Sequence, residues 1–515
     1  MSNTDRIAKN TVFLYLRSLV VLLISLYTSR VILRVLGVED YGVFCVVGGV
    51  IGMLGLLSQT MRATYQRYYN VEMGRKNSAG VAKMFQLSLS SQLLLAVIVL
   101  LLGETVGLWF VANKLVIPEE RLVASIWVYQ ASLISFIVRI FETPFSALIT
   151  AYERMGFFAV VSIIDAILRL AIVFLIQVLP GDALIVYSYL LALVSFVDII
   201  IYVVYCKRKI ETTVIRFGWD KSGLKNMFAF SWWSIFGEIG YTLQTQGINI
   251  VLNLFFGPIV NAARGVAAQV LNAVNQFIRS FQTSFRPQLT KSYASGDYNY
   301  MRTLYYSATK LSYYLIFTLS LPIIMETPYI LHLWLGDNVP EYTTIFTRLV
   351  LVTSFVSTFA NPTSGIAYAT GKIKRFSIGV GIGNVLILPV AWVFLKAGFS
   401  PVSTLIVCLI MTILIQLFRL LDTSKTAGIH INDYFKKVIV PTLFFSVITP
   451  VIPILIVYFI NSSFYRLLIT CVVSVIMCLI CGWLVGLNQL EKSFVMSKIR
   501  NVKVLRFVFK NKTIE

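Results

Sequence analysis

The residues best placed to do chemistry follow one face of the apolar segment 258–287. Asparagine, glutamine and arginine recur there at spacings close to three and four, or sums of these: Asn261, Arg264, Asn272, Asn275, Arg279, Gln282 and Arg286. On a helix of about 100° per residue, they share roughly 80° of arc. Guanidinium groups bind phosphate oxygens, and carboxamides exchange hydrogen bonds with hydroxyls. This face therefore predicts a binding surface for a polar, anionic molecule.

Three other segments carry comparable faces. In segment 224–256 the polar residues are Glu238, Thr242, Thr245, Gln246, Asn249 and Asn253. In segment 41–69 a glycine stripe becomes polar along Gly48, Gly52, Gly55, Gln59, Arg62 and Gln66. Segment 11–36 contributes Arg17. Close packing of helices is the favoured interpretation of the glycines, and a surface lining a binding site is the alternative.

Several charged residues inside apolar segments have a neighbour of opposite charge. Asp165 and Arg169 stand four residues apart, and the pairs Arg139 with Glu142 and Arg419 with Asp422 stand three apart. We expect structural ion pairs within these helices. Charged residues without a local partner are Glu104, Asp198, Glu326 and Arg348. Asp165, Asp198 and Glu238 are the candidates for ion coupling, because carboxylates inside a membrane commonly bind protons or cations.

The composition identifies the elements that must position these residues. Of 515 residues, 57% are hydrophobic and 13% are charged, about half the ~25% charge of a soluble domain. An ordinary soluble enzyme and a disordered chain are therefore excluded. At about 20 residues per spanning helix, the sequence predicts an all-α integral membrane protein of about fourteen transmembrane helices. The segments are 11–36, 41–69, 83–112, 120–149, 156–179, 182–206, 224–256, 258–287, 303–333, 341–370, 373–396, 401–423, 434–460 and 464–486.

The net charge of +21 indicates topology rather than nucleic-acid binding. Connections placed inside hold about two thirds of the 44 Lys and Arg residues, whereas those placed outside hold only Lys114 and Arg121. By the positive-inside rule, both termini are cytoplasmic. Polar faces on the segments 11–36, 41–69, 224–256 and 258–287 suggest two six-helix lobes around a central cavity. The predicted domains are residues 1–210, 211–430, two appended helices at 431–486, and a basic tail at 487–515.

Cysteines and histidines give no support for a metal site. The six cysteines lie within or at the ends of apolar segments, and the one CxxC pair, Cys478 and Cys481, lies inside a predicted span. With only two histidines in the chain, packing is the better interpretation of the cysteines. No cofactor, metal or catalytic residue is expected.

Four short motifs, in order, resemble a known family. They are LGVEDYG at 36–42, NAARG at 261–265, RPQLTKSYA at 286–294 and LWLG at 333–336. On these motifs the chain resembles the bacterial flippases of O-antigen and capsule synthesis. These form the polysaccharide-transporter branch of the multidrug/oligosaccharidyl-lipid/polysaccharide exporter superfamily. The similarity extends over essentially the whole chain.

The resemblance implies a flippase that works by alternating access between two six-helix lobes, with two helices appended. It implies an oligosaccharide linked to undecaprenyl pyrophosphate as substrate, the cell inner membrane as location, and lipopolysaccharide or capsule synthesis as pathway. A polysaccharide polymerase and chain-length proteins are the implied partners. Family members carry cationic residues in the cavity, and Arg17, Arg62, Arg264 and Arg279 fit that pattern.

Three other functions stay open. A multidrug or cation exporter of the same superfamily is one, although segment 11–36 lacks a carboxylate and contains arginines. A membrane enzyme of polysaccharide assembly is another, but its large external loop and acidic cluster are missing from the sequence. A scaffold without transport is the third, and the aligned polar faces argue against it.

Overall fold

The computed structural model describes residues 3–152, 154–370, 373–489 and 491–492. Within these ranges the chain forms nineteen α-helices, four π-helical turns and one 3₁₀ turn, without a strand. The helices are α1 Asn3–Gly74, α2 Ser78–Leu102, α3 Leu108–Asn113, α4 Leu122–Ala151, α5 Met155–Leu175, α6 Ala183–Lys209, α7 Lys221–Thr242, α8 Ile248–Phe256, α9 Pro258–Ala294, α10 Tyr298–Met325, α11 Thr327–Leu335, α12 Thr343–Ser357, α13 Ala360–Thr370, α14 Ile373–Lys396, α15 Val402–Ala427, α16 Ile431–Tyr434, α17 Val440–Ile448, α18 Val451–Phe459 and α19 Phe464–Cys481. The predicted all-α membrane fold is confirmed.

Eleven helical stretches of the described chain are long and apolar enough to cross a membrane. One of them, Val20–Met73, runs through two of the segments predicted from the sequence. The helical stretches at 221–256 and 258–294, with their polar faces, are not among the eleven. Counting Val20–Met73 as two spans and adding the two polar helical stretches accounts for the difference between eleven and fourteen, so the structure is compatible with the predicted fourteen spans.

Two glycines in the left-handed region turn the chain between consecutive helical segments. Gly37 interrupts α1 at φ 78°, and Gly257 separates α8 from α9 at φ 74°. Glycine has no Cβ to clash in this region, so it reverses the chain with the least strain. Each of these turns therefore needs almost no loop.

The first of two compact units contains Met1–Gln269, Leu331–Phe346 and Ser377–Met411. Its apolar core lies among α1, α2, α4, α5 and α6. Two buried tyrosines of α1 bond to serines of α2: the Tyr65 hydroxyl lies 2.5 Å from Ser91 Oγ, and the Tyr69 hydroxyl 2.6 Å from Ser88 Oγ. These pairs satisfy hydroxyl groups that would otherwise be buried without a partner.

Arg121 joins three segments at one end of the first unit. Its Nε donates to Asp40 Oδ1 at 2.6 Å, and its Nη1 donates to Asp182 Oδ2 at 2.5 Å. Asp182 also accepts from the amides of Leu184 and Ile185 as the N-cap of α6. Burial would raise the pKa of Asp182, but Arg121 and the helix amides outweigh it and hold that pKa below its usual value. The network therefore fixes α1, α4 and α6 to one another.

The second unit contains Val270–Ile330, Thr347–Phe376 and Thr412–Glu515. Its core is aromatic: Tyr305 stacks on Tyr434 with ring centroids 5.6 Å apart, and Phe317 meets Phe445 edge-on at 5.3 Å. Such ring pairs stabilise a core beyond the apolar area that they bury. The domain boundaries predicted at residues 210, 430 and 486 stay predictions.

Two buried ion pairs connect α10 and its C-cap to the C-terminal part of the second unit, one at the start of α19 and the other at Glu491, beyond α19. Arg466 Nη2 donates to Glu326 Oε2 at 2.7 Å, where the Glu326 side chain is fully buried. Lys310 Nζ donates to Glu491 Oε2 at 2.7 Å, and both side chains are less than a tenth exposed. Glu326 and Arg466, 140 residues apart, are thus each other's partner.

Candidate functional site

A cavity of about 440 Å³ lies inside the first unit. Residues of α1, α4, α5 and α6 line it: Phe44, Gly48, Ile51, Gly52, Gly55, Ser58, Arg62, Ser132, Ser135, Phe136, Arg139, Glu142, Thr143, Arg169, Ser188, Leu191 and Ser195. Polar positions on α4 recur at helical spacing, and Ser188 and Ser195 stand two turns apart on α6. Both α4 and α6 therefore turn one polar face toward the same space.

The lining is cationic. It contains three guanidinium groups, from Arg62, Arg139 and Arg169, against one carboxylate, from Glu142. Arg62 and Arg139 are exposed side chains, and neither forms an ion pair with a carboxylate of the described residues. Two guanidinium groups are thus free to take part in bidentate bonds to phosphate oxygens.

Arg169 differs from the other two arginines because a carboxylate holds it. Its Nε lies 2.9 Å from both oxygens of Asp165, as the four-residue spacing on α5 predicts. The pairs expected between Arg139 and Glu142 and between Arg419 and Asp422 do not form. Asp422 instead lies 3.3 Å from Arg375 Nε. A spacing of three residues allows such a pair, but tertiary contacts decide whether it forms.

Asp198 is a buried carboxylate of the same unit. Its residue is 7% exposed, and its Oδ1 has no hydrogen-bond partner. It lies on α6, one helical turn after the cavity residue Ser195. A buried carboxylate oxygen without a donor is costly unless it is protonated or bound by a cation.

The glycine stripe of α1 divides into two kinds of position. A Cβ built on Gly48 or Gly55 would meet no heavy atom within 4 Å, so these glycines leave open space in the cavity. A Cβ on Gly52 would lie 3.3 Å from Gln246 Nε2. At Gly42, outside the stripe, a Cβ would overlap the Pro258 carbonyl. Close packing, the favoured interpretation, thus describes Gly42 better than Gly48 and Gly55.

Arg264 and Asn249 form one hydrogen-bond network. Arg264 Nε donates to Asn249 Oδ1 at 2.6 Å, and Arg264 Nη2 donates to the Thr245 carbonyl at 3.3 Å. Asn261 Nδ2 donates to the Asn249 carbonyl at 2.7 Å. Thr245 lies in the π-turn Leu243–Gly247, where the altered helix register disturbs backbone pairing. Arg264 is half-buried, so it stabilises this turn and keeps part of its side chain accessible.

Asn253 is engaged inside the protein. It is fully buried, and its carboxamide accepts from the Val116 amide at 2.9 Å and donates to the Val116 carbonyl at 3.1 Å. These two bonds hold the segment that follows α3. Both ends of the side chain are therefore already paired, which leaves it little to offer a ligand.

The other predicted residues of α9 lie in the second unit. Gln282 is buried, donating to the Thr358 carbonyl at 3.0 Å and accepting from Asn361 Nδ2 at 2.8 Å. Asn272 and Arg279 are exposed, and Asn275 is half-buried. The side chains of Arg17 and Glu238 lie outside the described residues.

Sequence reasoning missed most of the cavity lining. Of the predicted ligands whose side chains the structure describes, only Arg62 lines the cavity, while Arg139, Arg169 and the serines of α4 and α6 were not proposed as ligands. The signal was present in α4, where Ser132, Ser135, Arg139 and Glu142 repeat at spacings of three and four. Arg139 and Glu142 were interpreted as a structural ion pair, so this polar face was not recognised as a binding surface.

Apolar helices long enough to cross a membrane, packed around an arginine-lined cavity, are typical of a multi-pass membrane protein. Solved structures of transporters of the MOP superfamily share this fold. One is titled "Lipid II flippase MurJ, inward closed conformation", with a TM-score of 0.66 at 12% identity over 92% of this chain and 98% of that one. An inward-facing multidrug resistance MATE family transporter gives 0.65 at 14% identity over 79% and 94%.

A third similar structure is a MOP superfamily transporter from Pyrococcus furiosus, whose title reports reverse polarity of its binding pocket. Its TM-score is 0.60 at 13% identity, over 82% of this chain and 96% of that one. No curated protein matches the sequence. The profile of the family described as "Polysaccharide biosynthesis protein" matches residues 7–292, more than half of the chain. The chain belongs to this family, and the matched region contains every residue that lines the cavity.

Proposed function

We propose that this protein is a flippase for an oligosaccharide linked to undecaprenyl pyrophosphate. It moves the headgroup from the cytoplasmic to the outer leaflet of a bacterial inner membrane by alternating access, in the synthesis of a cell-surface polysaccharide such as O-antigen. The observation that carries the proposal is the cavity of the first unit, with three arginines against one carboxylate among its lining residues. Membership of the polysaccharide biosynthesis family supports the same pathway.

The cavity chemistry matches each part of that substrate. Arg62 and Arg139 present guanidinium groups that fit pyrophosphate oxygens. Ser132, Ser135 and Ser188 present hydroxyls that exchange hydrogen bonds with sugar hydroxyls. The lipid tail stays in the bilayer, where it needs no polar partner. Each negative charge that leaves a negative interior gains about 2.3 kcal/mol per 100 mV if it crosses the full field.

Asp165 and Asp198 are the proposed sites of ion coupling. Asp165 already binds Arg169 through both oxygens, whereas Asp198 has a buried oxygen without a donor. Proton binding at Asp198 would remove an unpaired buried charge, and its release would restore that charge. Glu238 is a third candidate from its place in the sequence alone.

A multidrug or cation exporter is the alternative within the same fold. Its substrate would have to enter a cavity whose lining carries more guanidinium groups than carboxylates, where a cation is repelled. A membrane enzyme of polysaccharide assembly fits less well, because the aligned polar residues suit binding more than bond cleavage. A polysaccharide polymerase and chain-length proteins remain the proposed partners in the pathway.

The test uses purified protein in liposomes with a fluorescent undecaprenyl-pyrophosphate oligosaccharide. Exposure of the label to an external quencher is followed with and without a membrane potential. Arg62→Ala and Arg139→Ala are each expected to slow flipping at least about tenfold, because loss of one charged hydrogen bond corresponds to ~1.5–3 kcal/mol. Lysine at either site should restore part of the rate, since it keeps the charge without the planar fork.

Arg75→Ala is the matched control, since Arg75 is an exposed arginine before α2 whose side chain, among the described residues, bonds to Glu72 of the same segment. It should flip substrate at the wild-type rate. Equal rates for Arg62→Ala, Arg139→Ala and Arg75→Ala would remove the cavity arginines from the mechanism. No flipping by the wild type, together with proton-coupled efflux of small cations, would favour the exporter.

A further inference from the structure

The end of α6, the start of α7 and the segment that joins them are together strongly basic. We call residues 207–225 the linker strap. Its six basic side chains are all exposed, against the two acids Glu211 and Asp220; they are Lys207, Arg208, Lys209, Arg216, Lys221 and Lys225. Asp220 is already paired with Lys83 of α2 at 2.9 Å. The six cations of the strap are therefore left facing outward with little local compensation.

Four large apolar side chains stand exposed among these charges. Val214 is 41% exposed, Ile215 45%, Phe217 48% and Trp219 61%. Residues 210–220 lie outside the eleven stretches that can span a membrane. In water, such a group of apolar side chains within six residues would be unfavourable, and exposed patches of this kind usually mark an interaction surface.

The backbone of the strap is fixed to the first unit. The Gly218 amide donates to the Gln86 carbonyl of α2 at 3.4 Å, and the Thr212 hydroxyl lies 3.1 Å from the Tyr152 hydroxyl at the end of α4. Ile210 and Thr212 are buried. Hydrogen bonds from Ser222 and Lys83 hold the pKa of Asp220 below its usual range, so its pair with Lys83 persists at neutral pH.

These contacts also set the depth of the strap. Lys83 is the last charged residue of α2, and the rest of that helix, 84–102, is uncharged, so Gln86 stands just beyond the charged end of the helix. Tyr152 follows the last residue of α4, and Arg154 comes two residues later. Gly218 contacts Gln86 and Thr212 contacts Tyr152. These two contacts indicate that the strap lies at the level of the lipid headgroups. Tryptophan and phenylalanine side chains are stable at that level, with lysine and arginine reaching phosphates.

We propose that the linker strap is a binding surface for the headgroups of anionic phospholipids, with Phe217 and Trp219 inserted among the upper acyl carbons. Charge complementarity selects the occupant, because anionic lipids attract each basic residue near the surface. The apolar side chains add affinity by leaving water. The inference concerns the resting membrane contact of the protein, and it does not depend on the proposed transport function.

The first test measures the depth of Trp219 in nanodiscs. The protein has eight tryptophans, so the fluorescence of Trp219 is obtained as the difference in emission between the wild type and Trp219→Phe. In phosphatidylglycerol nanodiscs, this fluorescence should be quenched by lipids brominated near the top of the acyl chain and protected from iodide. Quenching by iodide but not by bromolipid would overturn the proposal and favour a protein partner for this surface.

The second test measures lipid selectivity. Native mass spectrometry should detect phosphatidylglycerol retained by the wild type, and phosphatidylcholine should be lost on the same treatment. Arg216→Gln and Lys221→Gln are expected to reduce retention about fivefold each, from the ~1 kcal/mol that one basic residue contributes at an anionic surface. Lys425→Gln is the control, an exposed lysine at the end of α15.

Equal retention of the two lipids by the wild type would refute charge selection, and so would equal losses in Lys425→Gln and Arg216→Gln. Circular dichroism of each variant verifies that the helices are intact. This experiment measures bound lipid, whereas the test of the proposed function measures the flipping rate. A negative result in either experiment therefore does not decide the other.

Discussion

Gly48 and Gly55 give the cavity part of its volume, since a Cβ on either would have no heavy atom within 4 Å. Glycine weakens a helix by about 1 kcal/mol relative to alanine, and here no close helix contact offsets that loss. The space therefore points to a functional reason for these residues. In a cavity of about 440 Å³, one large side chain would occupy a substantial share of the volume.

Gly55→Leu is accordingly expected to lower the flipping rate without lowering thermal stability. The leucine side chain enters open space and improves helix propensity, so unfolding in detergent should occur at the wild-type temperature or above it. Gly42→Leu is the contrasting variant, because its Cβ would overlap the Pro258 carbonyl. Normal flipping by a folded Gly55→Leu protein would mean that substrate does not use this cavity.

The sequence spacing predicted that Arg264 and Asn261 share a polar face of α9, and both side chains do bond to Asn249. The partners of Arg264 could not be predicted, because Asn249 and the Thr245 carbonyl lie on the preceding helical segment and depend on the π-turn at Leu243–Gly247. Sequence spacing shows which face of a helix is polar. It does not show whether that face meets a ligand or another helix.

At the scale of elements, Gly257 allows α8 and α9 to follow each other with one residue between them. A Cβ there would lie 3.9 Å from Val116 Cγ1, which is ordinary contact. Any strain on substitution therefore comes from the backbone at φ 74°.

Gly257→Ala is expected to destabilise the protein by roughly 1–3 kcal/mol, because φ 74° with ψ −170° lies in a region that is essentially confined to glycine. Gly48→Ala, at a helical position with open space, should be neutral or stabilising by about 1 kcal/mol. Chemical unfolding of both variants in the same detergent measures the difference. Equal stabilities would show that the turn relaxes to another conformation.

The attachment of α19 to α10 rests on partners far apart in sequence. The apolar segments of the sequence predicted the spans themselves, including the bounds 464–486, but they left Glu326 without a partner. Arg466 lies at the start of α19 and also donates to the Ile460 carbonyl at 3.0 Å. Only the packing of these helices brings the two charges together.

Glu326→Gln should therefore destabilise the protein by roughly 3–5 kcal/mol, because it leaves a buried guanidinium group without its carboxylate. The double variant Glu326→Leu with Arg466→Met should recover much of that loss, since neither charge is then buried alone. Thermal unfolding in detergent measures both. A double variant as unstable as the single one would show that Arg466 has no need of Glu326.

At the scale of the whole molecule, the distribution of basic residues predicts cytoplasmic termini. Arg75 lies in a connection predicted to be inside, and Ser400 in one predicted to be outside, and both are exposed. In intact spheroplasts, a membrane-impermeant maleimide should label Ser400→Cys at once. It should label Arg75→Cys only after permeabilisation. The reverse pattern would invert the topology, and with it the proposed direction of transport.

The one-residue turn at Gly257 bears on how the protein enters the membrane during synthesis. An arginine on a lone helix costs ~2.5–3.5 kcal/mol at insertion. The partners of Arg264, Asn249 and Thr245, lie 15 and 19 residues upstream in the segment joined to α9 by that turn. Both acceptors precede Arg264 in the chain, so they are synthesised before the guanidinium group that they bind. The pairing of this arginine therefore requires no helix that is made after α9.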